Sequence, residues 1–301
     1  MIPLHYLSIL KLATYNIRYS PPNSRPILPE APWSARLPLI LNQLNWEEPD
    51  LIGAQEVLDH QCIDLLEGLN QLGYTGIGVG RDDGKRLGEY APIFWKSDQF
   101  ELVDHHYFWL SEEPDVPGSI SWDSGQTRMV TCVELKPKLN TVQVDGIFQL
   151  PGQNSLDRSI FVMNTHFDDR GSYAREQSAK LIRYRAEALI KKTSKPVFLL
   201  GDLNSTPEEL PYKTLTTEST GQLSFKDSRQ NAKHLYGAIN ATYTSFSKNP
   251  SVQGVIDVVM LMGYHWEAKK YGVIPNSFED DEYYASDHRL VCAQYVKVIE
   301  H

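Results

Sequence analysis

The 301-residue chain is poor in cysteine and has no excess of positive charge. Its three cysteines, Cys62, Cys132 and Cys292, are isolated from one another. An odd count without CxxC spacing argues against a disulfide framework and against a thiolate zinc site. Cys132 and Cys292 lie in apolar runs, and all three read as core residues. The 29 Lys and Arg stand against 38 Asp and Glu, a net charge of −9. That balance argues against a broad electrostatic footprint on duplex nucleic acid, which needs clustered cations. It leaves room for a local basic groove, and it fits a site that gathers carboxylates around a cation. No apolar run approaches the roughly 20 residues that cross a bilayer. Met1 to Leu12 is apolar but lacks a basic n-region and a small-residue cleavage site before Thr14, which argues against a signal peptide. A cytoplasmic monomer is the expectation, with a nuclear location also compatible.

Internal repeats and low-complexity linkers are missing too. The expected organisation is therefore one domain over residues 1–301, long for a single unit but within reach of a layered α/β body. The proline-rich stretch 21–32 reads as an ordered surface loop, because helical spacing resumes at Leu37, Ile40, Leu41 and Leu44 after Trp33 and Ser34. Further helices are predicted near 60–72 and from Tyr173 to Lys192. Between them lie short runs rich in Val, Ile and Phe: Leu51–Ala54, Pro92–Trp95, Met129–Leu135, Ile160–Met163, Val197–Leu200, Val255–Met260 and Leu290–Val296. These have strand length, and several are apolar at consecutive positions, as strands buried on both faces are. Two packed sheets covered by helices follow as the α/β fold class. Residues 138–158 separate two strands and read as a loop or hairpin insertion, or as a lid.

Polar residues cluster at the ends of these runs. Asn16 ends Leu12–Tyr15, and Glu56 follows Leu51–Ala54. Asn164, His166 and Asp168 follow Ile160–Met163, and Asp202 and Asn204 follow Val197–Leu200. Asp257 lies near the start of its run, and Asp287 and His288 directly precede theirs. Where neighbours run antiparallel, the end of one strand lies beside the start of the next, so both groups can share one rim. Taken singly, each has a structural reading. Gly201–Asn204 and Ser286–His288 are compatible with turns or caps, Glu56 with an exposed acid and His166 with a structural histidine. Together they supply the side chains that phosphate-ester hydrolysis requires. A hard cation such as Mg²⁺ takes carboxylate oxygens, a buried carboxylate can activate water, and an acid-supported imidazole can stabilise charge or protonate a leaving oxygen.

The segments Thr14-Tyr15-Asn16-Ile17-Arg18, Pro49–Val57, Gly88–Trp95, Asn164-Thr165-His166-Phe167-Asp168, Gly201-Asp202-Leu203-Asn204, Val255-Ile256-Asp257 and Ser286-Asp287-His288 closely resemble, in order, the endonuclease/exonuclease/phosphatase (DNase I-like) superfamily. The likeness covers nearly the whole chain. Trp33-Ser34-Ala35-Arg36, Gly88-Glu89-Tyr90 and His166–Gly171 look most like a poorly characterised branch related to the deadenylase (carbon catabolite repressor 4-like) group, although 138–158 is longer than that branch carries. The resemblance implies a four-layer α/β/β/α sandwich, two mixed sheets flanked by helices, with the site at one rim. It implies Mg²⁺, with Mn²⁺ as a substitute, held by Glu56 with Asn16 and Asp287 as ligands or orienters. Asp202 would activate water and Asn204 would orient phosphate or water. His288 would be a catalytic imidazole held by Asp257, and His166 a second one partnered by Glu89. Arg128 would contact the substrate phosphate, or else form a surface salt bridge. The implied activity is hydrolysis of a phosphodiester, foremost 3′–5′ exonucleolytic cleavage of single-stranded RNA. The alternatives are a phosphatase or phosphodiesterase on a small-molecule or lipid phosphate, and a non-catalytic scaffold.

Overall fold

The computed structural model describes residues 9–27, 29–138, 159–247, 254–278 and 283–298. The expected insertion at 138–158 lies, but for its first residue, outside them. In chain order the strands are β1 (Ile9–Asn16), β2 (Leu51–Gln55), β3 (Tyr74–Ile77), β4 (Ile93–Lys96), β5 (Phe100–Trp109), β6 (Met129–Pro137), β7 (Ile160–His166), β8 (Val197–Asp202), β9 (Lys226–Asp227), β10 (His234–Gly237), β11 (Asp257–Met262), β12 (Trp266–Ile274), β13 (Ser277–Phe278), β14 (Tyr283–Tyr284) and β15 (Leu290–Lys297). The helices are α1 (Trp33–Glu47), α2 (Asp59–Gln71), α3 (Ser172–Thr193), α4 (Leu210–Thr216) and α5 (Ser228–Asn231). The predicted helices and strands are all present, with ends shifted by up to three residues, the most at β7, which continues from Met163 to His166.

Two mixed sheets form the centre. One has seven strands in the order β10-β12-β15-β1-β2-β4-β3, the other six in the order β5-β6-β7-β8-β11-β9. β1–β2 and β7–β8 pair in parallel, whereas β15 and β11 run antiparallel to β1 and β8. Strand alternation sorts the apolar side chains into three layers. Leu10, Leu12, Ile160, Val162, Phe198, Leu200, Val259 and Leu261 fill the space between the sheets. Ala13, Ile52 and Phe94 face the other way, onto Ile40 and Leu44 of α1 and Leu65 and Leu69 of α2. Val197, Leu199, Met260 and Met163 meet Ala179, Ile182 and Ala186 of α3 and Tyr212 of α4. The result is the expected α/β/β/α sandwich.

The inward rows do not stay apolar to their ends. Beyond Leu12 comes Thr14 and then Asn16, and beyond Val162 come Asn164 and His166. Beyond Leu200 comes Asp202, and before Val259 comes Asp257. Period-2 alternation therefore aims all of these between the sheets, at one end of the sandwich. A polar floor separates them from the apolar core. Gln55 Nε2 donates to Asn164 Oδ1 at 2.6 Å and to Thr14 Oγ1 at 3.0 Å. Asn164 Nδ2 donates to the Ala54 and Pro92 carbonyls, each at 2.8 Å. Asn164 thus ties the two sheets together and stands outside the site. Gly201 allows β8 to approach β7 here, since a Cβ at that position would lie 2.5 Å from the Thr165 carbonyl oxygen. Among the described residues no helix is long and apolar enough to cross a membrane. Cys132 and Cys292 are buried as predicted, whereas Cys62 on α2 is only half-buried.

Candidate active site

Asp202 lies at the centre of the rim. Its side chain is 1% exposed. Oδ2 accepts from Asn16 Nδ2 at 3.0 Å and Oδ1 from the Asn204 backbone N–H at 2.9 Å. Both imidazoles point their Nε2 at it, His166 at 3.6 Å and His288 at 3.7 Å. Burial, reinforced by repulsion from Asp257, pushes the Asp202 carboxyl up to about 7, with His288 opposing the rise. The antiparallel register sets Asp257 directly opposite Asp202. The shared rim expected of the strand ends is thus realised.

His288 Nδ1 lies 2.9 and 3.1 Å from the two Asp257 carboxylate oxygens. Burial disfavours the imidazolium, but attraction and hydrogen bonding from Asp257, helped by Asp202 and Asp287, raise it to about 10. His166 is set the other way. Burial lowers it well below the usual range, and Arg128, Arg81 and His288 add repulsion. Its Nε2 is 3.0 Å from Asn204 Nδ2, so the neutral ring accepts that amide's hydrogen. Asp257 thus favours the charged form of His288 and burial the neutral form of His166, on either side of Asp202.

Glu56, Asn16 and Asp287 form the other wall. Asn16 Nδ2 bridges Glu56 Oε1 at 2.9 Å and Asp202 at 3.0 Å, while its Oδ1 accepts from the Arg18 backbone N–H at 3.0 Å. In this arrangement Asn16 orients carboxylates. Glu56 Oε2 also accepts from the Tyr19 N–H at 3.1 Å. Asp287 is held above the usual carboxylate range by burial, which His288 opposes and Glu56 reinforces. Three residues here adopt left-handed backbone, Arg18 (φ 61°), Glu56 (φ 58°) and Asn204 (φ 44°). Non-glycine residues held in this region concentrate where the surrounding structure fixes them for a task.

Glu89 is near His166 but does not hydrogen-bond it. Its Oε2 is 3.8 Å from His166 Nδ1 and 2.7 Å from Arg81 Nη1, so its main partner is an arginine that sequence reasoning missed. Arg128 is 4% exposed and paired with Asp168 at 3.5 Å and Asp169 at 2.9 Å. It is no surface salt bridge, and it lines the cleft. Asp168 organises the loop instead of facing the centre. Its carboxylate accepts from the Gly171, Arg170 and Gln126 N–H groups and, against burial, lies near about 2.

The cleft above these groups encloses about 530 Å³ and is lined by Arg18, Tyr19, Glu56, Arg128, His166, Asp202, Asn204, Tyr243, Asp287 and His288 among others. Arg18, Tyr19 and Tyr243 are additions to the predicted set. Arg18 stacks on the Tyr19 ring at 4.4 Å, and Tyr243 packs against the His288 ring at 5.0 Å. Ligand atoms of Asp202, Asp257 and His288 lie within 4.8 Å of one another. Because His288 Nδ1 is already bonded to Asp257, we read this trio as a carboxylate–imidazole–carboxylate chain. Glu56 and Asp287, which line the same cleft, carry the oxygen donors that a hard cation could use. The local charge agrees, with Glu56, Asp202, Asp257 and Asp287 set against Arg18 and His288.

Comparison with known proteins agrees with the fold described above. A solved endonuclease/exonuclease/phosphatase from Bacteroides vulgatus superposes with a TM-score of 0.82 at 31% identity, covering 97% of this chain and 100% of that one. A mannosyl-6-phosphatase from Bacteroides thetaiotaomicron superposes with a TM-score of 0.79 at 28% identity, over 95% of this chain and 99% of that one. A probable RNA exonuclease of Schizosaccharomyces pombe is 25% identical over 217 residues, which are 69% of this chain but only 39% of that protein. The model of the endonuclease/exonuclease/phosphatase family matches residues 13–288, from β1 to the Asp287–His288 pair, and the chain belongs to that family.

Proposed function

We propose that the cleft hydrolyses a phosphate ester by in-line attack of a water activated by Asp202. The observation that carries this reading is the placement of Asp202, a buried carboxylate within 3.7 Å of two imidazoles that favour opposite charge states and 3.0 Å from the amide that also holds Glu56. Glu56 and Asp287 would hold a divalent cation, Mg²⁺ with Mn²⁺ as substitute, and Asn16 would orient them. When bound, the cation supplies Lewis-acid neutralisation of the phosphoryl oxygens. The protein's own groups do the rest. Asp202 accepts the proton of the attacking water. Asn204 and neutral His166 orient the water or a phosphoryl oxygen, and His288, kept charged by Asp257, stabilises the developing charge. Arg128 adds a fixed cation on the His166 side.

For the substrate, a small phosphate ester is the reading the site favours. The cleft volume of about 530 Å³ lies within the range of small-molecule pockets. Asp169 and Glu209 bring negative charge to its lining, and the whole chain carries −9. Both features repel a long polyanion. The similarity that covers nearly the full chain includes a protein named as a sugar phosphatase. Exonucleolytic cleavage of single-stranded RNA is the second reading, favoured by a relative named as a probable RNA exonuclease. Purified protein assayed with Mg²⁺ or with EDTA on hexose phosphates, aryl mono- and diesters and end-labelled RNA separates the two. Mg²⁺-dependent phosphate release from the small esters without RNA shortening supports the first reading. RNA shortening alone supports the second, and no hydrolysis of any ester leaves a binding scaffold.

A further inference from the structure

Arg36 takes no part in the chemistry described above, yet it is fully buried on α1, at 0% exposure. Among the described residues, all the hydrogen bonds its guanidinium makes go to backbone carbonyls. Nη1 donates to Ile17 at 2.6 Å and to Ala285 at 3.1 Å, Nη2 to Arg18 at 3.0 Å, and Nε to Ala31 at 3.1 Å. The Trp33 and Phe246 rings flank it at 5.4 and 5.9 Å. Burying a cation without a bonded carboxylate is costly, so the arrangement calls for a reason beyond packing.

Its partners supply one. Ile17 and Arg18 directly follow Asn16, and Ala285 lies two residues before Asp287. The two segments are far apart in sequence and meet beyond the Thr14–Val291 end of the β1–β15 ladder. One planar fork fixes the peptide planes on both sides, which an ammonium group on a flexible stem cannot do. Ser286 Oγ, donating to the Asn16 carbonyl at 2.7 Å, adds a second stitch between the same segments. The bond to the Arg18 carbonyl also holds the left-handed turn that presents Arg18 to Glu56 and Asp287.

We propose that Arg36 is a positioning residue for the cation-holding wall, setting the distance between the Asn16–Glu56 side and Asp287. The proposal rests on the assignment of Glu56 and Asp287 as the cation's ligands. Its test is the affinity of the full-length protein for Mn²⁺, read by electron paramagnetic resonance of free Mn²⁺ at a temperature where every variant is folded by circular dichroism. Arg36→Lys and Arg36→Met should each weaken Mn²⁺ binding by about 10- to 100-fold, the usual loss when the groups that orient metal ligands are removed. Gln43→Leu is the control. It removes another buried polar tie of α1, to Tyr15 and Pro275, without touching residues 17, 18 or 285. It should lower the melting temperature and leave Mn²⁺ affinity as in wild type. Wild-type affinity in both Arg36 variants overturns the proposal, however much they are destabilised. If neither variant folds, the wild type still decides, because coupling is reciprocal. Mg²⁺ should slow hydrogen exchange at the Arg36 side chain in ¹⁵N spectra, and unchanged exchange overturns the clamp. Wild type that binds no Mn²⁺ sinks the cation assignment and this proposal together, whereas wild-type binding with indifferent Arg36 variants sinks the proposal alone.

Discussion

Replacing Asp257 by Asn keeps the shape of the His288 partner and removes its charge. The two groups meet at 2.9 Å in a buried setting. With an effective dielectric near 20, attraction at that separation is about 6 kcal/mol. The same order of free energy separates an ordinary imidazole at 6.5 from His288 at about 10. In Asp257→Asn, His288 should titrate near neutrality, and Asp202, relieved of a repelling neighbour, should ionise at lower pH. On the proposed mechanism, wild-type activity needs Asp202 ionised and His288 protonated, a window bounded below by the first and above by the second. The substitution moves both edges to acid. At pH 8.5 the rate should fall by about 10²- to 10⁴-fold, the span typical of a lost acid–base group, with partial recovery near pH 6. The assay is kcat/KM against pH on p-nitrophenyl phosphate and bis(p-nitrophenyl) phosphate at saturating Mg²⁺, with NMR titration of the imidazoles. A variant with the wild-type profile and rate at pH 8.5 would refute the coupling of Asp257 to His288.

Gly201→Ala should destabilise the fold by about 1–3 kcal/mol, because its Cβ would meet the Thr165 carbonyl at 2.5 Å and overpack the β7–β8 pair. Urea unfolding measures this, and an unchanged midpoint would contradict the close approach. Without a divalent cation, the melting temperature should fall as pH rises from 6.5 to 9. Asp202 near about 7 and His288 near about 10 both bind protons more tightly folded than unfolded, so the stability they contribute is full below their unfolded values and lost through the folded ones. His166, depressed by burial, acts oppositely only below its ordinary 6.5. Mg²⁺ should therefore raise the melting temperature more at pH 9 than at 6.5, and a metal-free melting temperature that climbs with pH would contradict the raised carboxyl and imidazole.

Much of this site was legible because strands alternate. Asn16, His166, Asp202 and Asp257 continue rows whose earlier members are apolar, so a change from Leu or Val to an acid, amide or imidazole in register marks where the core ends. The same rule placed Asn164 and Asp168 alongside them, and there it was too coarse. Asn164 is spent on bridging the sheets, and Asp168 lies past the end of β7, where alternation no longer applies. β5 was missed because it is an edge strand, and Glu101, Val103, Asp104 and His105 are exposed on it, which breaks the apolar alternation. Arg81 and Tyr243 carried no signal, since both reach the site from irregular segments. Arg36 stood out in sequence only as part of the Trp33–Arg36 likeness, with no role attached, and the convergence of carbonyls from residues 17, 18 and 285 marks it as interior. Glu89 was placed near His166 correctly in space, but its hydrogen bond goes to Arg81.

The central claim is that water, activated by Asp202, attacks phosphorus in a cation-dependent reaction. Hydrolysis in ¹⁸O-labelled water tests it most directly, on whichever ester proves to be turned over. The account predicts that with Mg²⁺ the label enters the released phosphate and not the alcohol, and that both EDTA and Asp202→Ala abolish its incorporation while the fold persists. Label in the alcohol, or incorporation that survives EDTA or loss of the Asp202 carboxylate, would contradict it.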